Sequence, residues 1–140
     1  MIVLDTNVLS ETMKPDPDDR AMIWFRAQSR DRLFTTAITK VEMLYGLRTM
    51  EHSERKEKKS AVINAILNVD FAGKVLSFDR DAARRYAEIF ASRKEAGRPI
   101  EEFDAMIAAI AQSKGAILAT RNVKDFVNCD IEVVNPWAVS

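Results

Sequence analysis

The chain has 140 residues, 47% hydrophobic and 30% charged, with 21 Lys+Arg balancing 21 Asp+Glu. This suits one domain spanning 1–140 with a real core, and excludes a protein that coats nucleic acid through a global basic field. Cys129 and His52 are the only residues of their kinds, so an internal disulfide and a zinc site rich in Cys or His are both excluded.

The start carries no basic leader, and Asp5 interrupts its apolar run, so a signal peptide is not expected. The longest apolar run, residues 105–111, is far short of the roughly 20 residues a membrane span needs. A soluble, cytoplasmic protein that does not enter a membrane is expected.

In chain order, Ile2-Val3-Leu4 predicts a strand buried on both faces, as in a parallel sheet under helices. Asn7 to Met13 predicts a short helix stopped by Pro15 and Pro17. Asp18 or Asp19 caps a second helix to about Gln28, with Met22, Ile23, Phe25 and Trp24 as its inward residues. Leu33 to Thr36 is a second strand. Thr39 opens a helix through about Arg48, with Val41, Leu44, Tyr45 and Leu47 apolar. Residues 51–60 are a mixed-sign charged stretch, read as a solvated helix face that continues into the apolar stripe Val62, Ile63, Ile66 and Leu67. Lys74 to Phe78 is a weaker third strand. Asp79 or Asp81 starts a helix to about Glu95, ended by Gly97 and Pro99. Ala105 to Ala111 is apolar nearly all round and predicts a buried helix, ended by Gly115. Ala116–Ala119 and Ile131–Val134 are the last strands. Strands alternating with helices imply a mostly parallel sheet covered on both faces.

Three acids stand where acids are costly. Asp5 follows the first strand, Glu42 lies among Val41, Met43 and Leu44, and Asp104 begins the buried helix. An unpaired buried carboxylate needs donors, a cation or a metal. Ligands of parallel sheets bind outside the carboxyl ends of the strands, and Asp5, Thr6 and Thr120 fall at such ends. One acidic pocket holding Mg²⁺ or Mn²⁺, both of which take oxygen ligands, would meet the need of all three acids. Each acid also has a structural reading. Asp5 can cap the helix after it, Thr39 to Glu42 fits a capping box, and Asp104 suits the positive end of its helix. Near Thr120, Asn122 either caps a short turn containing Asp125, or Asp125 itself faces the pocket. Glu101 and Glu102 read as an exposed helix start that adds negative potential near Asp104.

The segments Leu4-Asp5-Thr6-Asn7, Thr39 to Glu42 with Gly46, Asp104 before Ile107-Ala108-Ala109, Ala119-Thr120-Arg121-Asn122 with Phe126, and Asn135-Pro136-Trp137 run through the whole chain in order. With them the chain resembles the PIN-domain ribonucleases, specifically the VapC-type toxins of VapBC toxin–antitoxin pairs and their FitB-like branch. The resemblance implies a three-layer α/β/α sandwich with a mostly parallel central sheet. It implies Asp5, Glu42, Asp104 and Asp125 as catalytic acids, with Asp5 and Asp104 as direct metal ligands and Thr6, Thr120 and Asn122 in support. Many members carry an aspartate where Asn122 stands, and Asp125 is the residue that would compensate.

The implied activity is Mg²⁺-dependent endoribonuclease cleavage of tRNA or rRNA loops, with Mn²⁺ able to substitute. The implied partner is a VapB/FitA-like antitoxin that neutralises the toxin and alone contacts DNA, and homodimers are common in the family. The competing expectation, prompted by Asn122, is a weakly active or inactive regulatory subunit that dimerises and strengthens operator binding by its antitoxin. A phosphohydrolase of the haloacid dehalogenase type is disfavoured, because Asn7 stands where that type has its second aspartate.

Overall fold

Strand β1 (Ile2–Leu4) is buried throughout and lies at the centre of a five-stranded sheet of order β3-β2-β1-β4-β5. Its partners are β2 (Leu33–Thr36) and β4 (Ile117–Ala119); β3 (Val75–Leu76) and β5 (Val133–Val134) close the edges. Every pairing is parallel. The computed structural model describes residues 1–138.

Successive side chains of β1 enter opposite layers, as the two-residue period of a strand requires. Ile2 and Leu4 join a core with Val8, Leu9, Leu33, Met43, Leu47, Ile63 and Leu67. Val3 joins the other core, with Ile89, Ile107, Ala108, Ile110, Leu118 and Phe126. The first core packs under helices α1 (Thr6–Glu11), α2 (Asp19–Ala27), α3 (Ala37–Thr49) and α4 (Glu54–Ala65), the last running on into a π-helical turn over Ile66–Asp70. The second packs under α5 (Arg80–Glu95) and α6 (Glu102–Ser113). The result is the expected three-layer α/β/α sandwich, with a sheet that is parallel throughout.

The chain moves outward from β1 through β2 to β3, then returns to the other side of β1 for β4 and β5. The strand order therefore reverses between β1 and β4, and in parallel sheets the crevice that receives ligands lies at such a switch point, outside the carboxyl ends of the strands. The register Leu4↔Ala119 places the next residues, Asp5 and Thr120, side by side at that crevice.

Several local expectations need correction. Ile23 is 67% exposed and Tyr45 69%, because α2 and α3 each bury only one stripe. Val41 and Val62 are also exposed. Trp24, Phe25 and Leu44 pack partly buried against the first core, and Leu47 is buried in it. Helix α3 begins earlier than Thr39. Thr36 is its cap, and the Thr36 hydroxyl accepts from the Thr39 backbone N–H at 3.1 Å. Thr39 and Glu42 therefore form no capping box, and both side chains are available for other partners. Gly97 (φ 73°) and Gly115 (φ 61°) adopt the left-handed conformation just beyond α5 and α6, as helix ends favour.

Candidate active site

Asp5 combines the two roles that the sequence left open. Its Oδ1 caps α1 by accepting from the Thr6 backbone N–H at 2.8 Å. Its Oδ2 accepts from the Thr120 hydroxyl at 2.8 Å and from Asn7 Nδ2 at 3.3 Å. Asp5 is only 5% exposed. Burial pushes its carboxyl above the usual range; the bonds from Thr120, Thr6 and Asn7 pull it back, and the Asp125 charge adds to the rise.

Thr120 is fully used. Its hydroxyl donates to Asp5 and accepts from Asn7 Nδ2 at 3.2 Å and from the Asn122 backbone N–H at 3.1 Å, which is the whole capacity of one hydroxyl. Asn7 closes the bridge between β1 and β4, its Oδ1 accepting from the Arg121 backbone N–H at 3.1 Å. The guanidinium of Arg121 stacks 5.1 Å from the centre of the Trp137 ring.

Across the crevice, the Thr6 hydroxyl donates to Glu42 Oε1 at 2.8 Å and lies 3.0 Å from the Thr39 hydroxyl. Glu42 thus faces the strand ends rather than its own helix terminus. Burial raises its carboxyl, the Thr6 bond lowers it, and the charges of Asp5 and Glu101 raise it further.

Asp104, in the first turn of α6, accepts no hydrogen bond from the described residues. Burial, followed by the charges of Asp5, Glu101, Asp125 and Glu42, pushes its carboxyl from 3.8 to about 7. Its place at a helix start does not offset that repulsion.

The predicted acids Asp5, Glu42, Asp104 and Asp125 therefore share one electrostatic field, and among the described residues no lysine or arginine charge lowers Asp5, Glu42 or Asp104. Asp125 reaches this field from the 3-10 turn Val123–Phe126. Asn122 is exposed and precedes that turn without a side-chain capping bond, so of the two alternatives the side-chain cap is not formed, and the Asp125 charge bears on Asp5 and Asp104. Two participants are additional to those predicted: Asn7 and Thr39. The amide of Asn7 was visible beside Asp5 in sequence. Glu101 sits in the approach to α6 and raises Asp104 as expected from its nearness in sequence, and the packing of α6 against α3 brings its field to Glu42 as well.

A divalent ion suits this donor set. The donors are oxygens, the carboxylates repel one another, and among the described residues no group donates to Asp104. Among the described residues no three acids are drawn together into a ready-made cage. Mg²⁺ does not require one, because it keeps several waters and takes one or two carboxylates directly.

The family model for the PIN domain matches residues 2–130. The chain belongs to the PIN-domain family. This PIN domain is 39% identical over 137 residues to the VapC ribonuclease Y4jK of Sinorhizobium fredii, covering 98% of each chain. It is 34% identical over 137 residues to toxin FitB of Neisseria gonorrhoeae, covering 98% of this chain and 99% of that one. Its structure superposes with a TM-score of 0.89, at 34% identity, on a chain of FitAB bound to an IR36 DNA fragment, covering 100% of this chain and 98% of that one.

Proposed function

We propose that this PIN domain is the toxin of a VapBC-like pair: a divalent-metal-dependent endoribonuclease held inactive by a cognate antitoxin. The observation that carries the reading is the acidic pocket at the switch point of the sheet, where Asp104, without a donor, is raised to about 7 by burial and by four neighbouring carboxylates. Similarity to a VapC ribonuclease and to toxin FitB supports the activity. Similarity to a chain of FitAB, a complex bound to a DNA fragment, supports an antitoxin partner.

In this reading Asp5 and Asp104 hold Mg²⁺, for which Mn²⁺ substitutes. Bound there, the ion would supply Lewis acidity at a phosphate oxygen and make a bound water more acidic than bulk water. The chain supplies the geometry. Thr120 and Asn7 fix the rotamer of Asp5, and Thr6 fixes Glu42 through Oε1. Oε2 of Glu42 accepts no hydrogen bond from the described residues, so it is free to take a proton from an attacking water or pass one on. A carboxyl raised by burial is better matched to that exchange near neutral pH than an exposed one. Arg121, held by its stack on Trp137, is placed beside the pocket to meet a substrate phosphate. A single-stranded RNA loop is the substrate form that can bend its backbone into such a crevice, which favours the loops of tRNA or rRNA.

The competing reading as a regulatory subunit drew on Asn122. Asp125 acts on both Asp5 and Asp104, and this supports the enzyme over the regulator.

The test uses protein freed of its partner and a pool of tRNA and rRNA. Cleavage is expected with Mg²⁺ or Mn²⁺, none with chelator, and none for Asp5→Asn or Asp104→Asn. If wild type leaves the pool as intact as both variants do, the nuclease reading fails.

A further inference from the structure

Arg93 is an arginine in a place that suits a leucine. It lies on α5, is 5% exposed, and makes no ion pair among the described residues. Burying an unpaired guanidinium is costly unless its donors are satisfied. Here backbone carbonyls take three of its N–H groups. Arg93 Nε donates to the Arg98 carbonyl at 2.7 Å. Its Nη1 donates to the carbonyls of Asp125 at 2.9 Å and Val127 at 3.0 Å, and lies 3.5 Å from the Cys129 sulfur. The planar fork of an arginine can reach such divergent acceptors; the ammonium of a lysine is a single point of charge.

The two segments tied together are the ones that carry acids. Arg98 opens the approach to Glu101 and Asp104. The carbonyl of Asp125 belongs to the residue whose carboxylate bears on Asp5 and Asp104. Otherwise the segment around Asp125 is held by its own Asp125 N–H to Asn122 carbonyl bond at 3.0 Å and, farther on, by Gln112 Nε2 of α6 donating to Asp130 at 3.2 Å. It is a single 3-10 turn, and the chain beyond it includes two non-glycine residues in the left-handed region, Asn128 (φ 60°) and Asp130 (φ 55°), before β5 begins. Phe126 and Cys129 anchor it by burial, and Arg93 alone joins it by hydrogen bonds to the α5–α6 connection.

We infer that Arg93 is a positioning residue for the metal pocket: through the backbone of Asp125 and the α5–α6 connection, its buried fork sets Asp125 against Asp104. This rests on the proposed metal-dependent reading. Residues that orient a metal site without touching the ion commonly change affinity by about 10- to 100-fold when removed, so the effect is measurable without RNA.

The experiment measures Mn²⁺ binding to the purified protein, from the electron paramagnetic resonance signal of free Mn²⁺. Wild type, Asp104→Asn, Asp125→Asn, Arg93→Met and the double variant Arg93→Met/Asp125→Asn are compared. Leu67→Ala, in the opposite core, serves as a control of lowered stability. Arg93→Met is expected to weaken binding about tenfold, as Asp125→Asn does, with no further loss in the double variant and no change in Leu67→Ala. Should Arg93→Met not fold, Arg93→Lys keeps the charge and most of the stem, and a several-fold weakening, again absent in the Asp125→Asn background, is expected. Wild-type affinity in the folded Arg93 variant overturns the inference, as does an equal loss with and without Asp125. Mn²⁺ that fails to bind wild type, or that binds Asp104→Asn equally well, overturns the metal reading and this inference with it.

Discussion

A single carboxyl, that of Asp104, makes the pocket measurable by acid–base linkage. In the chain without metal it is raised from 3.8 to about 7 by burial and by neighbouring negative charge. Folded protein therefore binds more protons than unfolded protein between those pH values, and stability falls as pH rises through the window. The loss is complete once pH exceeds the folded pKa. In chelator, the melting temperature is expected to decline between pH 4 and pH 7, and Asp104→Asn is expected to flatten much of that slope. Asp5 and Glu42, also raised, add slope of the same sign, while Glu11 and Asp81, held below the usual range by Lys14 and Arg84, add slope of the opposite sign. A profile for Asp104→Asn as steep as wild type would refute the assignment.

Thr120 gives a second test at this scale. Thr120→Val keeps the shape and removes the hydroxyl, leaving Asp5 Oδ2 with one donor fewer and Asn122 N–H without its acceptor. Leaving buried polar groups unpaired costs about 1–3 kcal/mol, so a lower urea midpoint is expected together with a loss of nuclease activity.

Among the elements, α3 does the most for the site, because it must present Glu42 at a fixed depth. Its start is set by Thr36, at the carboxyl end of β2 and so at the same sheet edge as Asp5. Thr36→Ala removes the bond to the Thr39 N–H and is expected to cost about 1 kcal/mol, as the loss of a helix cap does. Thr36→Ser retains the bond and should recover most of it. The two variants are compared by urea unfolding, where a shifted midpoint with an unchanged slope marks a change of stability alone. Helix α6 works differently. Residues 107–111 are wholly buried, so core packing rather than capping fixes where Asp104 emerges. The charged face of α4 carries the one exposed i,i+4 pair of that helix, Glu54 with Lys58 at 3.3 Å, and such a pair contributes little.

For the whole molecule, the sheet order matters more than any one helix. The acids come from four separate segments, and folding gathers their charges before any cation is bound. A divalent ion that binds only the gathered state stabilises it by mass action, by about 2.7 kcal/mol when its concentration is 100 times its Kd. Mg²⁺ is therefore expected to raise the melting temperature of wild type and to do so far less for Asp104→Asn. An equal rise in both would place the ion elsewhere.

The chain's own pattern determined much of this. Short branched runs alternating with helical stretches specify a parallel sheet between helices, since only that arrangement buries such strands on both faces. Asp5, Glu42 and Asp104 were legible because a carboxylate inside an apolar run is energetically anomalous on its own. Local spacing could not decide between cap and pocket, because both demand the same residue types at the same offsets. The tertiary structure decided it: the register Leu4↔Ala119 set Asp5 beside Thr120, so Asp5 serves both roles, while the Thr36 cap freed Thr39 and Glu42 for Thr6. The action of Glu101 on Glu42, the bearing of Asp125 on the other acids and the clasp of Arg93 on its loop likewise depend on contacts between residues distant in sequence. Such contacts exist only once the two core layers have packed.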